Sequence, residues 1–431
     1  MQVSRRVMKK FFMSVGLAAA GTASLHAAYT PEAGDNSKLW TLSATLRGFY
    51  DDNYNTAHSN VKGSFGAEVS PQFTLNVPLS QTELGMRYTY GLYYYQERQN
   101  LGQNPYDQTH QLDLWLDHAF NARWSAKLQD SVVVSKEPDL RSAAAVPQRT
   151  SQDSIGNRAR LTLDTDWTRL FSTELSYQNG YYYYLNNGGN AGAPSLAGLL
   201  NRDENLISID FKWNVKPTTV LLVGYQYGQN FYTGNEAIGV NPITGNTDFS
   251  SVRDSLSHYV YVGVQHAFLE NLSGSAKVGA QYVDNYNDFG SPTSFGPYLD
   301  ASLIYTYSPG SYAQIGVTHS LNNATAVSSV SSTTGRITDS QESSVVYGSV
   351  NYQVTSKLTA SAVAHFEYDT YDGGNASNQS DQLYDFGLNL SYSFARHFSA
   401  EAGYNFDYYT SAIPLQSYTR DRVYLGLTAS Y

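Results

Sequence analysis

Gln382-Leu-Tyr-Asp-Phe-Gly-Leu-Asn-Leu-Ser-Tyr-Ser-Phe394, followed after a three-residue break by Phe398-Ser-Ala-Glu-Ala-Gly-Tyr-Asn-Phe-Asp407, is the stretch that decides the fold. In the first segment Tyr384, Phe386, Leu388, Leu390, Tyr392 and Phe394 fall on one face, and Asp385, Gly387, Asn389, Ser391 and Ser393 on the other. The second sets Phe398, Ala400, Ala402, Tyr404 and Phe406 against Ser399, Glu401, Gly403, Asn405 and Asp407. A period of two is that of a strand with one apolar and one polar environment. Ala395-Arg396-His397 between them leaves room only for a tight reversal.

The same unit recurs along the chain. Seven more short breaks lie at Pro78-Leu79-Ser80, Asn121-Ala122-Arg123, Thr168-Arg169-Leu170, Asn214-Val215-Lys216-Pro217, Leu269-Glu270-Asn271, Ser308-Pro309-Gly310 and Val354-Thr355-Ser356. Central residues at 79, 122, 169, 215, 270, 309, 355 and 396 step by 39 to 55 residues, two strands plus one longer connection. Nine longer polar stretches alternate with the short turns, among them Asn186 to Arg202, Gln229 to Ser251 and Asn322 to Asp339. Short connections at one end and long ones at the other are the mark of an outer-membrane barrel. One strand before the first turn, sixteen paired through the turns and one at the end give an all-β, antiparallel transmembrane barrel of about 18 strands over residues 39–431.

Composition agrees. Among 431 residues, charged side chains make up 15% and aromatics 14%, with 37 Tyr, 34 Gly and no Cys. Charge lies well below the roughly 25% of soluble proteins, and the missing cysteines exclude disulfides and thiolate chemistry. Past residue 28 no apolar run reaches the 18 residues of a spanning helix. Phe120, Trp124, Trp167, Phe171, Trp213, Phe268, Tyr307, Tyr312, Tyr352, Phe394 and Phe398 flank the short turns on the apolar face, as an interfacial girdle requires.

Residues 1–28 read as an export signal: Arg5, Arg6, Lys9 and Lys10, an apolar stretch from Phe11 to Leu25, and small Ala27 and Ala28. Ser4-Arg5-Arg6-Val7 approaches a twin-arginine pattern, but Met8-Lys9 break it, and the Sec route is expected. Residues 29–38 form a short periplasmic segment, too short for the plug of a TonB-dependent transporter. Losing four cations takes the formal charge from -10 to -14, which opposes nucleic-acid binding.

With apolar faces turned to lipid, the polar faces line a lumen. Its expected charges include Arg47, Glu68, Arg87, Asp113, Asp117, Arg158, Arg160, Arg253, Asp300, Asp385, Asp407, Arg420 and Arg422. Barrel closure brings Arg420, Arg422, Arg47 and Arg87 along one wall, and the wall from the twelfth to the seventeenth strand carries Asp300, Glu367, Asp385, Glu401 and Asp407. The expectation is a transverse field across the pore; the alternative is a set of mutually paired charges that keep the wall polar. Asp130 falls on the lipid face, which points to a bulge.

His110, Asp113, Asp117 and His118 look like a catalytic or metal cluster. Alternation sends the aspartates inward and the histidines outward, so no convergent site forms, and neither catalysis, nor a metal site, nor a cofactor is expected. Asp369, Asp372, Asn375 and Asp381 offer oxygen ligands for calcium, in a run that also reads as a plain turn. Lumen rings Trp115, Tyr259, Tyr261, Tyr298, Tyr347 and Tyr424 are candidate stacking platforms for saccharides.

Val423, Leu425, Leu427, Ala429 and Tyr431 share one face of the last strand. That ending resembles the C-terminal β-signal of outer-membrane proteins, which implies the β-barrel assembly machinery as partner during insertion into outer-membrane lipid. The Gly/Tyr-rich strands, the hairpin period and Tyr424-Leu-Gly-Leu-Thr-Ala-Ser-Tyr431 resemble the putative β-barrel porin family of Gram-negative outer membranes. Some members are linked to polysaccharide export. The resemblance implies an integral outer-membrane channel passing hydrophilic solutes, saccharides among them; alternatives are a polysaccharide-export component, or a structural or adhesive barrel plugged by its loops. Oligomeric state is not encoded legibly.

Overall fold

The computed structural model describes residues 38–136, 153–308, 310–324 and 334–431. The export-signal reading of residues 1–28, and most of the segment 29–38, lie outside them.

Eighteen strands close one antiparallel barrel. They are β1 (Trp40–Asp51), β2 (Ser64–Pro78), β3 (Thr82–Tyr95), β4 (Tyr106–Ala119), β5 (Trp124–Ser135), β6 (Ser154–Asp166), β7 (Phe171–Tyr184), β8 (Arg202–Lys216) and β9 (Thr219–Tyr232). After a small loop hairpin, β10 (Ala237–Val240) and β11 (Thr247–Phe249), come β12 (Ser255–Leu269), β13 (Leu272–Asp284), β14 (Thr293–Ser308), β15 (Ser311–Asn323) and β16 (Thr338–Gln353). The chain ends with β17 (Leu358–Gly373), β18 (Ser380–Ala395), β19 (Phe398–Ser411) and β20 (Tyr418–Ser430). Each strand pairs with its sequence neighbours, and β1 closes the ring on β20 in the register Ser43↔Ser430 to Asp51↔Arg422. The eight expected short turns all join adjacent strands, and Gly310 takes φ 75° in one of them, where a side chain would be strained.

Closure gives each barrel strand two neighbours, so the backbone amides of the apolar band find ladder partners, as hydrocarbon demands. The outer face is covered by side chains such as Leu46, Val260, Ile315 and Leu425, which are exposed, while carboxylates and guanidiniums opposite them are buried. Trp124 and Trp167 meet edge-on at 5.6 Å beside the short turns, and Tyr431 packs against Trp40 at 5.6 Å while its backbone bonds Leu42. Val423, Leu425, Leu427 and Tyr431 all face outward.

Two expectations about facing need correction. Tyr312 belongs to the inner face, because Ile315 on the same strand is exposed and the strand alternates regularly from Ser311. Asp130 does face lipid, but no bulge puts it there: β5 and β6 pair without a register shift, and Asn157 Nδ2 donates to its carboxylate at 2.6 Å from the same face.

Hydrophobic cores gather toward the long-loop end, some of them from inward-facing strand residues such as Phe49, Leu383 and Tyr409. The largest gathers Tyr182, Tyr184, Leu199, Leu200, Ile238 and Ile337, so that loops after β7, β9 and β15 share one cluster. The short helix Leu196–Leu200 starts at Ser195, whose hydroxyl accepts the Gly198 amide at 2.9 Å. Glu236 staples two of these loops, accepting from the Gly188 and Gly189 amides at 3.0 and 3.1 Å and from Ser195 Oγ at 2.5 Å.

Candidate pore and its constriction

Above Leu299↔His319 the strand β15 leaves its neighbour β14, which runs on with β13 as far as Thr293. β15 and β16 stay paired to Asn323↔Ser340. The top of that hairpin therefore peels off the wall, and it turns inward. Gln281, on the inner face of β13, donates to the Leu321 carbonyl at 2.7 Å and accepts from the Leu321 amide at 2.8 Å, across the intervening strand. Leu321 lies over Gly296 of β14, and Asn323 accepts from Ser255 of β12 at 3.2 Å.

The loops clamp this tip from above. Arg253 donates to the carbonyls of Leu199, at 2.6 Å, and Ala324. It lies in a 3-10 turn and not on the lumen wall where alternation placed it, because its buried guanidinium satisfies loop carbonyls. Asn241 donates to the Gly335 carbonyl at 2.9 Å, and Ile337 packs on Tyr182 and Tyr184 of β7. The hairpin thus crosses the mouth from one side toward the other.

Beneath it lies an open recess, about 720 Å³ including the solvent at its mouth, lined by Gln178, Asn230, Ser255, Ser257, Tyr259, Gln281, the chain of residues 321–323, and Arg202 and Glu204. Arg202 and Glu204 pair at 2.6 Å. The remaining lining side chains are mostly amides and hydroxyls.

Charges in the lumen form two clusters. At the seam Arg47 donates to both Glu68 oxygens at 3.1 and 3.2 Å and also to Glu401, Arg422 bonds Asp51 at 2.6 Å, and Arg420 bonds Asp407 at 2.7 Å. Arg87 bonds Asp113 at 2.8 Å. This revises the expected field: Glu401 and Asp407 stand beside the arginines and not opposite them, since closure makes β19 the neighbour of β20. Asp385 lies buried on the inner face of β18, and Glu367 meets His365 at 3.1 Å.

The second cluster joins distant strands. Lys277 of β13 reaches Asp210 of β8 at 3.0 Å, and Lys212 meets Glu174 at 2.5 Å. Asp300 of β14 interacts electrostatically with Lys277 and with Arg160 from β6. Arg160 makes no hydrogen bond or ion pair to a described residue and is half-buried on the inner face of β6. Arg158 donates to the Tyr182 hydroxyl at 3.1 Å, and Asp117 is exposed to the lumen.

Five of the six candidate platforms face a glycine across a strand pair: Trp115 with Gly85, Tyr261 with Gly224, Tyr298 with Gly279, Tyr347 with Gly316 and Tyr424 with Gly403. A Cβ at Gly85 would come within 2.1 Å of the Trp115 ring, and one at Gly403 within 2.1 Å of Tyr424. The Trp115, Tyr261, Tyr347 and Tyr424 rings lie over bare backbone, an arrangement that stabilises glycine in sheets, whereas the position of a Gly279 side chain is filled by the Val260 carbonyl and Tyr261 and not by the Tyr298 ring. Tyr261 is only 1% exposed, closed in by Asp210, Lys277 and Tyr298, so it offers no free face. Tyr259 pairs with Gln226 and takes a 2.8 Å hydrogen bond from Gln281. The glycine partners were readable only with the register in hand, and Gln281 carried no sequence signal at all.

The remaining candidates disperse. Asp113 receives Gln111 and Ser131 inside the barrel, whereas His110 bonds Tyr88 and His118 bonds Thr82 on the outside. Asp381 accepts from Tyr371 and Ser411, each at 2.6 Å, while Asp372 turns to Arg336. Among the described residues no group of three or more His, Cys, Asp or Glu is placed to hold a metal.

One loop contact is pH-dependent. Asp288, between β13 and β14, is buried, and burial pushes its carboxyl up to about 6 against the pull of the Phe289 and Ile337 amides and Arg336. The packed loop binds this proton more tightly than an opened one. Its packing therefore tightens as pH falls through about 6 and is fully tightened near the ordinary carboxyl value of about 4. Burial raises Asp248 and Asp254 in the same sense. Hydrogen exchange at the Ile337 amide, corrected for its intrinsic rate, is expected to be slower at pH 5 than at pH 8. In Asp288→Asn that difference should shrink, and equal protection at both pH values in the unaltered chain would refute the assignment.

Residues 40–431 match the sequence profile of the family described as "Putative beta-barrel porin 2". No curated protein matches. Among solved structures the chain is similar to the outer-membrane protein OpdK of Pseudomonas aeruginosa (10% identity, 91% of this chain and 99% of that one, TM-score 0.44). It is also similar to OccK9 (OpdG) of the same organism (10%, 91% and 98%, TM-score 0.42) and to OccAB4 of Acinetobacter baumannii (13%, 92% and 100%, TM-score 0.41). Likeness at that level leaves solute and mechanism to be read from this chain's own residues.

Proposed function

The chain belongs to the family "Putative beta-barrel porin 2", and on that premise we propose that it passes hydrophilic solutes by diffusion, selecting uncharged polyhydroxylated molecules, saccharides first among them. It is an integral, porin-like channel of the Gram-negative outer membrane. The observation that carries the finer reading is the neutral recess under the inward hairpin. A solute leaving water must recover its hydrogen bonds in the pore, and amides and hydroxyls at Gln178, Asn230, Ser257 and Gln281 offer both donors and acceptors to hydroxyl groups. Trp115, Tyr347 and Tyr424, half-buried over their glycines, supply apolar faces for sugar rings lower in the lumen.

In this reading no covalent chemistry occurs. Residues 1–28 direct export, and Val423, Leu425, Leu427, Ala429 and Tyr431 present the strand that the assembly machinery reads. A loop-plugged structural barrel is the competing reading, supported by the same loop packing. Single-channel recording of the refolded protein in a planar bilayer separates the two. Stable current steps are expected, interrupted in proportion to the concentration of a neutral oligosaccharide, with weaker interruption in Tyr259→Ala. Silence from a folded, heat-modifiable barrel would favour the plugged barrel, and steps indifferent to every sugar would remove the saccharide selectivity alone.

A further inference from the structure

Two hairpins, β3–β4 and β9–β12, stand six strands apart around the eighteen-stranded ring and carry the same outward constellation. Near the short turns Thr82 Oγ1 meets His118 Nδ1 at 2.8 Å, and Thr219 Oγ1 meets His266 Nδ1 at 2.9 Å. His118 packs edge-on against Phe120 at 4.5 Å and 81°, and His266 against Phe268 at 4.6 Å and 81°. Eight residues up each strand, Tyr88 Oη meets His110 Nδ1 and Tyr225 Oη meets His258 Nδ1, both at 2.8 Å. Tyr90 and Tyr227 complete the set, 5.1 and 5.3 Å from those imidazoles.

The spacing has a physical measure. Eight residues of strand, tilted by about 40°, rise about 21 Å, close to the roughly 25 Å height of the apolar band of an outer-membrane barrel. One histidine of each hairpin therefore stands at each headgroup layer. With the hydroxyl donating to Nδ1, the ring proton sits on Nε2. None of the four Nε2 atoms has a hydrogen-bond partner among the described residues, and none is buried. Each hairpin thus holds two oriented N–H donors at the boundary where lipid phosphates lie.

We propose that His110 and His258 in the outer leaflet, and His118 and His266 in the inner leaflet, are recognition sites for the phosphate of membrane lipid. Nε2–H donates to a phosphate oxygen, and the hydroxyl behind Nδ1 fixes the ring. The barrel contains its own control. β18 places Tyr384, Tyr392 and Phe394 at the same spacing without an imidazole, as a belt of amphipathic rings alone would. The assignment is independent of what the lumen conducts.

Native mass spectrometry of the full chain, released from micelles doped with phosphatidylglycerol or with a phosphate-free galactolipid of the same acyl chains, tests it. Retention of up to four phosphatidylglycerol molecules is expected, with the galactolipid lost. The variant carrying His110→Phe, His118→Phe, His258→Phe and His266→Phe keeps the aromatic belt and should retain phosphatidylglycerol no better than galactolipid, while His→Gln at the same positions should recover part of the retention. Substituting one hairpin at a time should halve the count, which keeps the test open if the fourfold variant fails to show the heat-modifiable band of a folded barrel. Equal retention by unaltered and phenylalanine forms would overturn the proposal. So would displacement of the lipid by inorganic phosphate alone, which would make these sites for free phosphate.

Discussion

Replacing residues 321–342 by Asn-Gly, a type I′ turn joining the cross-strand pair Ser320 and Ser343, is expected to raise single-channel conductance by about twofold or more. The hairpin top is the feature that enters the mouth, and the wall holds it through the pair of hydrogen bonds between the Gln281 amide and the Leu321 backbone and through Ser255 donating to Asn323. Removing it also removes the roof of the neutral recess, so interruption by sugars should weaken in the same variant. Gln281→Ala keeps the hairpin and its contacts with Ser255, Arg253 and Asn241 but loosens its hold on β13, and there the expectation is noisier current of nearly unchanged mean. Conductance in the shortened chain equal to that of the unaltered one would place the narrowest section lower, at the charge clusters.

Arg47→Ala is expected to lower the stability of the barrel by about 3–5 kcal/mol, the usual cost of leaving buried charge unpaired. Two carboxylates depend on this guanidinium, Glu68 and Glu401, and both are buried. The ring of Tyr424 lies 5.1 Å beneath it and loses a cationic neighbour as well. Thermal conversion of the folded to the unfolded gel band measures the first effect. Reversal potentials in a salt gradient measure the second: two freed carboxylates should draw the selectivity toward cations. Arg422→Ala should act in the same direction through Asp51, which has no exposed surface. Selectivity unchanged in both variants would show that the seam charges merely neutralise one another, and would leave Arg160 and Asp300 as the groups that set the field.

The barrel was legible because lipid imposes a rule on every residue of every strand. Leu388 and Leu390 must face hydrocarbon, Asn389 and Ser391 must not, and eighteen repetitions of that constraint leave one architecture. Inside the lumen no such rule operates, since water, a neighbouring side chain or a solute can each satisfy a polar group. Arg47 could therefore be assigned to the lumen but not to its partners, and the acids read as facing the arginines included two, Glu401 and Asp407, that sit next to them. Tyr261 looked as accessible as Tyr424 until the register set Asp210 and Lys277 over it. The aromatic platforms were readable as inward rings, whereas the glycines beneath them became visible only when Gly85 met Trp115 and Gly316 met Tyr347 across the ladder.

By itself the sequence determined the membrane, the number of strands, the end that carries the long loops, and which face of nearly every strand meets lipid, Tyr312 on β15 being the exception, because those follow from local alternation and turn spacing. Only the tertiary structure decided that the top of β15 and β16 abandons β14, that Gln281 receives it, and that loops after β7 and β9 clamp it above a neutral recess. These depend on hydrogen bonds between residues 40 or more positions apart, such as Gln281 with Leu321 and Asn241 with Gly335. Such pairings leave no periodic trace in the chain, since an amide side chain can serve any carbonyl that the fold brings within reach.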